Sequence, residues 1–135
     1  MTATLTDADY AALAEFRFAL RTFLAFSESK AADCGLTPQQ HQALLTIRGA
    51  PAGKATVGYV AERLILKPQS ATGLVDRMEA LGLVRRRPSS QDGRIALLEL
   101  TDSALETLAR LSLTHRQEIR QLRPMMIELL GRLNG

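Results

Sequence analysis

Two short helical patterns stand only a few residues apart in the middle of the chain. The first begins at Thr56, whose hydroxyl can cap a helix that runs to about Leu64. The second begins at Lys67-Pro68, and its inner face has apolar residues at steps of three and four: Ala71, Leu74, Val75, Met78 and Leu81. Gly82 follows as a left-handed stop. Two helices joined by so short a turn predict a helix-turn-helix.

The outer face of the second helix carries short or polar side chains that are concentrated near its start: Gln69, Ser70, Thr72, Gly73, Asp76 and Arg77. In a helix-turn-helix that binds DNA, the first residues of the second helix contact base edges in the major groove. Gln69 and Ser70 can form hydrogen bonds there, and Gly73 would let the backbone come close. The helix N-terminus also favours a phosphate. An ordinary surface helix with a polar outer face fits this pattern as well.

A β-hairpin is predicted directly after this helix. Leu83–Arg87 and Ile95–Leu100 have the composition of short strands, and the segment Pro88–Arg94 between them is rich in turn-forming residues. We therefore expect two antiparallel strands with a long exposed loop.

The predicted hairpin is rich in arginine. Arg85, Arg86 and Arg87 are consecutive, and alternate members of such a run can face phosphate. Arg94 ends the loop, where it can enter a narrow minor groove, and Asp92 is placed to hold its guanidinium. The alternative interpretation is a solvated turn with a local ion pair that contributes little.

The basic excess of the chain lies in the same central segment. Residues 54–94 contain eight basic and four acidic residues, a net charge of +4, whereas the rest of the chain contains nine basic and ten acidic residues. Positive charge concentrated in one segment is typical of a polyanion site, although a solvated basic surface is the other interpretation.

The two ends of the chain are predicted to be helical and to pair with a second copy. The first helix is expected from Asp7 to about Ala32, and Thr37-Pro38-Gln39-Gln40 predicts a capping box for the next. A long helix should begin at Thr101 and run to about Gln121, and Pro124 predicts a break before a final helix. That final segment is very apolar for a chain end. The residues predicted for dimerisation are Leu13, Phe16, Leu20, Met126, Leu129, Leu130 and Leu133.

Several classes of protein are disfavoured. The 135 residues suit one domain, 1–135, with no apolar run long enough for a membrane span and no basic, apolar leader at the start, so we expect a cytoplasmic protein. No nucleophile–base motif, phosphate loop or metal signature appears, which predicts neither an enzyme nor a cofactor. Cys34, His41 and His115 are the only soft metal-ligand candidates, and we predict no metal site. A redox sensor through Cys34 remains an alternative, although the neighbouring Asp33 opposes a thiolate.

The central motifs together resemble the MarR family of bacterial and archaeal winged-helix regulators. The resemblance runs from about Thr37 to Ala104, and its stretches occur in the family's order and spacing: Leu36-Thr37-Pro38-Gln39, Val60-Ala61-Glu62-Arg63-Leu64, Ser70-Ala71-Thr72-Gly73-Leu74-Val75-Asp76-Arg77-Met78-Glu79, Leu81-Gly82-Leu83-Val84-Arg85-Arg86, Asp92-Gly93-Arg94 and Leu100-Thr101. It implies a mainly α fold of about six helices with a small hairpin wing. The DNA-binding lobe would be residues 37–100, and residues 7–34 and 101–135 would form a dimerisation lobe.

The resemblance also implies a function. Family members are homodimers that bind a pseudo-palindromic operator, and many release DNA when a small phenolic or anionic effector binds, which here implies a repressor. Gln69, Ser70 and Thr72 would contact the major groove, Arg94 the minor groove and Arg86 the DNA backbone. The full predicted DNA-binding set is Lys67, Gln69, Ser70, Thr72, Gly73, Arg77, Arg86, Asp92 and Arg94. Gly93 departs from the family pattern, because many relatives have a second arginine at that position. A winged helix that binds proteins instead of DNA is the alternative.

Overall fold

The computed structural model describes residues 4–133, which form five α-helices and one two-stranded antiparallel sheet. In chain order the elements are α1 (Asp7–Asp33), α2 (Pro38–Gly49), α3 (Val57–Leu64), α4 (Pro68–Ala80), β1 (Val84–Pro88), β2 (Ala96–Leu100) and α5 (Asp102–Arg132). The predicted fold class, mainly α with a hairpin wing, is confirmed. The described residues divide into two compact units, residues 31–111 and residues 4–30 with 112–133.

The unit of residues 31–111 is built on one hydrophobic core. Its fully buried side chains include Leu44 of α2, Val60 of α3 and Val75 and Met78 of α4. The predicted DNA-binding lobe, residues 37–100, lies inside this unit. The unit extends further because apolar residues on either side of that range are buried in the same core: Ala31, Leu36, Ala104, Leu108 and Leu111.

The helix starts follow the capping signals in the sequence. The Thr37 hydroxyl accepts a hydrogen bond from the Gln40 amide at 3.1 Å, and the Gln40 side chain accepts one from the Thr37 amide at 3.0 Å. This is the predicted capping box of α2. Likewise, the Thr56 hydroxyl accepts from the Tyr59 amide at 3.1 Å and caps α3.

The end of α4 is tied to the start of α5. Gly82 has a φ of +73°, the left-handed conformation that lets the Leu83 amide donate back to the carbonyl of Met78 at 2.9 Å. Thr101 accepts a hydrogen bond from the Ala104 amide at 3.3 Å and donates one to the Gly82 carbonyl at 2.7 Å. The helix that carries the predicted DNA contacts is therefore held at its C-terminal end.

The hairpin lies where it was predicted, with strand ends shifted by one residue at three of the four positions. Val84 pairs with Leu100 and Pro88 with Ala96. The side chains of Val84, Leu98 and Leu100 are buried in the core of the unit. The Leu98 amide also donates to the carbonyl of Ala55 at 2.7 Å, which connects the hairpin to the segment before α3.

The second unit contains most of α1 and the later part of α5. His115 of α5 is buried, its Nε2 lies 2.8 Å from the Ser27 hydroxyl, and its ring meets the rings of Phe23 and Phe26 in edge contacts. Ala12 and Ala19 of α1 and Leu129 of α5 are also buried. No helix among residues 4–133 is long and apolar enough to cross a lipid bilayer.

The predicted break at Pro124 is wrong, because α5 is a single helix with Pro124 inside it. Five helices therefore stand where about six were expected among the described residues. The reason is that the less exposed stripe of α5 continues through the proline at steps of three and four: His115, Glu118, Leu122, Met126, Leu129 and Leu133. Packing along this stripe offsets the one backbone hydrogen bond that a proline removes.

Candidate nucleic-acid interface

The segment from α3 to α4 has the geometry of a helix-turn-helix. Only Ile65, Leu66 and Lys67 separate the two helices. Ile65 has a φ of +55°, and this left-handed residue reverses the chain while the amide of Leu66 donates to the carbonyl of Ala61 at 2.8 Å. The turn therefore depends on a conformation that a β-branched residue rarely adopts.

α4 has one buried face and one exposed face. Ala71, Leu74, Val75 and Met78 are buried, as predicted for the inner face, whereas Leu81, predicted with them, is exposed at the end of the helix. Leu81 is the C-cap residue, one position beyond the end of α4. Gln69, Ser70, Thr72 and Arg77 of the predicted DNA-binding set are all exposed, and Gly73 is half-buried.

The start of α4 is exposed over residues 67–70. Lys67 occupies the N-cap position, is exposed, and makes no side-chain capping hydrogen bond. The Thr72 hydroxyl donates to the carbonyl of Pro68 at 3.0 Å, and its oxygen can still accept a hydrogen bond. The polar atoms near this end of the helix are therefore available to a ligand.

The three consecutive arginines do not act alike. Arg85 and Arg87 point to one side of the hairpin, where their Nε atoms lie 2.6 Å and 2.8 Å from the same Oε1 of Glu99. Arg85 is directly opposite Glu99 in the strand register. Both arginine side chains remain exposed. Glu99 was not predicted as a partner, although the strand register alone would have indicated the pair.

Arg86 points to the other side of the hairpin and contacts α4. Its guanidinium donates to Asp76 at 2.8 Å and to Glu79 at 2.5 Å, and its side chain keeps 30% of its exposure. The hydrogen bond to Asp76, opposed by partial burial and aided by the charges of both carboxylates, raises the pKa of Arg86 above its usual value. Arg86 therefore joins the hairpin to the exposed side of α4, a contact that sequence reasoning did not predict.

Asp92 and Arg94 form the local pair that the sequence indicated. One carboxylate oxygen of Asp92 accepts from the Arg94 amide at 3.0 Å and from its Nε at 3.1 Å, and the other accepts from Nη2 at 3.2 Å. The hydrogen bonds from the Arg94 side chain and then from its amide lower the pKa of Asp92. The Arg94 side chain is nonetheless 91% exposed. Asp92 therefore orients the guanidinium while most of the guanidinium remains accessible to a ligand.

An apolar groove of about 470 Å³ lies between α1 and α5 within the second unit. Three of the predicted dimerisation residues, Leu20, Met126 and Leu130, line it. Leu13 is exposed as well, whereas Leu129 is buried within the protomer.

The other candidate ligands do not come together. Among residues 4–133, no group of three or more His, Cys, Asp or Glu side chains could hold a metal ion. Cys34 is exposed and has no disulfide. His41 and His115 are buried in different units.

Comparisons with known proteins agree with this geometry. The profile of the MarR family matches residues 35–95. The HTH-type transcriptional repressor MdtR of Bacillus subtilis is 35% identical over 68 residues, which cover 50% of this chain and 43% of MdtR, so the match spans less than half of that relative.

Solved structures resemble the chain over nearly its whole length. AbsC, a MarR family transcriptional regulator from Streptomyces coelicolor, superimposes with a TM-score of 0.70 at 22% identity, covering 96% of this chain and 99% of AbsC. A mutant of Staphylococcus aureus MepR bound to an oligodeoxyribonucleotide gives a TM-score of 0.69 at 18% identity, covering 97% of this chain and all of that chain.

At these identities the structural neighbours show the fold, and the profile match covers the segment that includes α2, the helix-turn-helix and most of the hairpin. Residues 35–95 therefore match the MarR family, and the chain has the fold of the MarR-type winged-helix proteins.

Proposed function

We propose that this chain is a DNA-binding transcriptional repressor that binds a pseudo-palindromic operator as a homodimer. The observation that carries the proposal is the exposed polar face of α4, whose N-cap makes no side-chain capping hydrogen bond and which is joined to an arginine-bearing hairpin. The match of residues 35–95 to the MarR family supports a regulator, since MdtR is named a transcriptional repressor and AbsC a transcriptional regulator.

The DNA contacts that we propose follow from exposure. Gln69, Ser70 and Thr72 would face base edges in the major groove, because they lie exposed at the first turns of α4. Lys67, just before the helix, would contact a phosphate. Arg94, held by Asp92, would enter the minor groove, where the potential is most negative.

The role of Arg86 is narrower than the resemblance implies. A phosphate that contacts its guanidinium would have to share it with Asp76 and Glu79. We therefore propose that Arg86 contributes to DNA binding mainly by holding α4 against the hairpin, with any phosphate contact secondary.

A homodimer is proposed because α1 and α5 leave apolar side chains exposed in a single protomer. Tyr10, Leu13, Leu20 and Leu24 recur along one side of α1 and are all exposed. On α5, Ile119, Ile127 and Leu130 are exposed as well. A second copy of the chain would cover these faces and would place two copies of α4 on the two halves of an operator.

The testing experiment is a gel-shift titration with the DNA upstream of the gene, repeated at several salt concentrations. We expect tight binding to one fragment, with log affinity falling linearly against log salt by roughly 0.9 for each phosphate contacted. Weak binding to every fragment with little salt dependence would contradict the proposal and favour a winged helix that binds proteins. Adding phenolic and anionic compounds to the bound sample then tests release by an effector.

A further inference from the structure

Gly73 lies in the middle of α4, where a glycine has no evident structural purpose. Glycine in a helix interior is less favourable than alanine, because its backbone loses more freedom on folding. A Cβ built on Gly73 would meet one neighbouring atom within 4 Å, Nη1 of Arg77 at 3.3 Å. Packing against the core therefore does not require glycine here, and its one steric consequence concerns the Arg77 side chain.

The position of Arg77 follows from helix geometry. Side chains in a helix lean toward its N-terminus, so Arg77 extends over the residue four positions earlier. Without a Cβ on Gly73, the guanidinium can lie close to the helix backbone. Gln69 and Ser70 share this side of the helix, since they precede Arg77 by eight and seven residues. The guanidinium is thus directed toward the part of α4 that we propose enters the major groove.

Arg77 also differs from the hairpin arginines in its charge environment. Arg85 and Arg87 contact Glu99, Arg86 contacts Asp76 and Glu79, and Arg94 contacts Asp92. The Arg77 side chain makes no ion pair or hydrogen bond among residues 4–133, and it is exposed. The acids nearest to it in sequence, Asp76 and Glu79, are held by Arg86.

From these contacts, and on the basis of the DNA-binding function proposed above, we propose that Arg77 reads a guanine in each half of the operator. Because Gly73 has no side chain, the Arg77 guanidinium has room to reach the base. An arginine fork pairs with O6 and N7 of guanine in the major groove, which makes it the commonest specific contact of this kind. Arg86 acts as a positioning residue, because its contacts with Asp76 and Glu79 join the hairpin to α4.

The first test is a double-mutant cycle with Gly73→Ala and Arg77→Ala, measured as affinity for a binding site selected from random-sequence duplex DNA. We expect Arg77→Ala to weaken binding by roughly five- to 150-fold. Gly73→Ala should also weaken binding while the midpoint of thermal unfolding stays the same or rises, since the exposed guanidinium can move aside. In the Arg77→Ala background, Gly73→Ala should have no further effect.

An equal loss from Gly73→Ala in both backgrounds would overturn the proposal, because it would mean that the glycine admits the DNA backbone itself. Failure of the unmodified protein to select any site would instead contradict the proposed function, so the two failures are distinguishable. Arg48→Ala on α2 is the matched control for losing one exposed positive charge, and its affinity should stay close to that of the unmodified protein.

The second test changes the DNA. Replacing each guanine of the selected site in turn by 7-deazaguanine removes the N7 acceptor and leaves base pairing intact. Replacement at one position in each half-site should weaken binding of the unmodified protein. The same replacement should leave the affinity of Arg77→Ala unchanged. If no position depends on Arg77, and if Arg77→Ala reduces the salt slope equally for all sequences, then Arg77 contacts phosphate and the guanine assignment is wrong.

Discussion

At the scale of single residues, local carboxylates determine what each arginine of the hairpin can do. Arg85 and Arg87 share Glu99, Arg86 is held by two acids of α4, and Arg94 is held by Asp92. Exposed ion pairs of this kind contribute little to stability. Their consequence is orientation, because an arginine that already has a fixed geometry loses less freedom when it binds a ligand.

Arg94→Ala tests the proposed minor-groove contact. We expect the affinity for operator DNA to fall by about 1–3 kcal/mol per site with no loss of folding, because the side chain is almost fully exposed. Gel-shift titration and the far-UV circular dichroism spectrum measure the two quantities. An unchanged affinity would remove Arg94 from the proposed contacts.

The pKa of Asp92 provides a second test of the ion pair between Asp92 and Arg94. Because the Arg94 side chain and amide lower the pKa of Asp92 below its ordinary 3.8, the ionised pair is present above that value and is lost as the pH falls through the lowered pKa. Carboxyl NMR titration should therefore show the pKa of Asp92 rising toward 3.8 in Arg94→Ala. The same pKa in both proteins would mean that the pair does not form in solution.

Ile65 adopts an unfavourable backbone conformation in the turn between α3 and α4. It has a left-handed φ of +55° and is 92% exposed, so little packing offsets the strain. We expect Ile65→Gly to raise the free energy of unfolding by about 1 kcal/mol, the lower end of the cost of this conformation for an L-residue. Urea denaturation measures the free energy of unfolding, and Ile65→Val is the control because valine keeps the β-branch. Equal or lower stability of the glycine variant would show that the turn is not strained.

At the scale of elements, capping signals and packing stripes had different predictive value. Thr37, Thr56 and Gly82 act locally, so the ends of α2, α3 and α4 were predictable from a few neighbouring residues. Pro124 was misread, because whether a proline ends a helix depends on the packing of the residues around it. The exposure of Leu81 was missed for a similar reason, since burial of a C-cap residue depends on which elements pack against it.

Pro124→Ala tests this account of α5. Alanine would restore the amide that can donate to the carbonyl of Arg120, at an exposed position within a continuous helix. We expect stability to increase by on the order of 1–3 kcal/mol, with slower amide exchange near residue 124. Hydrogen exchange followed by mass spectrometry locates the effect. Faster exchange around this residue would show that the proline is needed for the local packing.

At the scale of the whole molecule, the two compact units carry different proposed tasks. The unit of residues 31–111 contains the helix-turn-helix and the hairpin, and the other unit presents the apolar faces of α1 and α5. Since a pseudo-palindromic operator requires two reading helices, the proposed DNA affinity depends on association of two chains.

Leu130→Glu should separate association from folding. Leu130 is 56% exposed in the protomer, so a carboxylate there leaves the buried core intact but disfavours an apolar interface. We expect a folded monomer by light scattering, with much weaker operator binding. Deletion after Arg123 should have a harsher effect and give a monomeric or insoluble product, since it removes the buried Leu129. A dimer that persists in both variants would place the interface elsewhere.

The sequence by itself determined the starts of α2 to α5, the short turn, the hairpin and the resemblance to the MarR family, because capping, periodicity and turn chemistry act between residues close in the chain. It also indicated which side of α4 would be exposed, and the local pair of Asp92 and Arg94. Only the tertiary structure decided that Arg86 contacts Asp76 and Glu79, that Ile65 adopts a left-handed conformation, and that α5 continues through Pro124. Those outcomes depend on which elements pack together, and packing joins residues whose spacing in the sequence carries no signal of their contact.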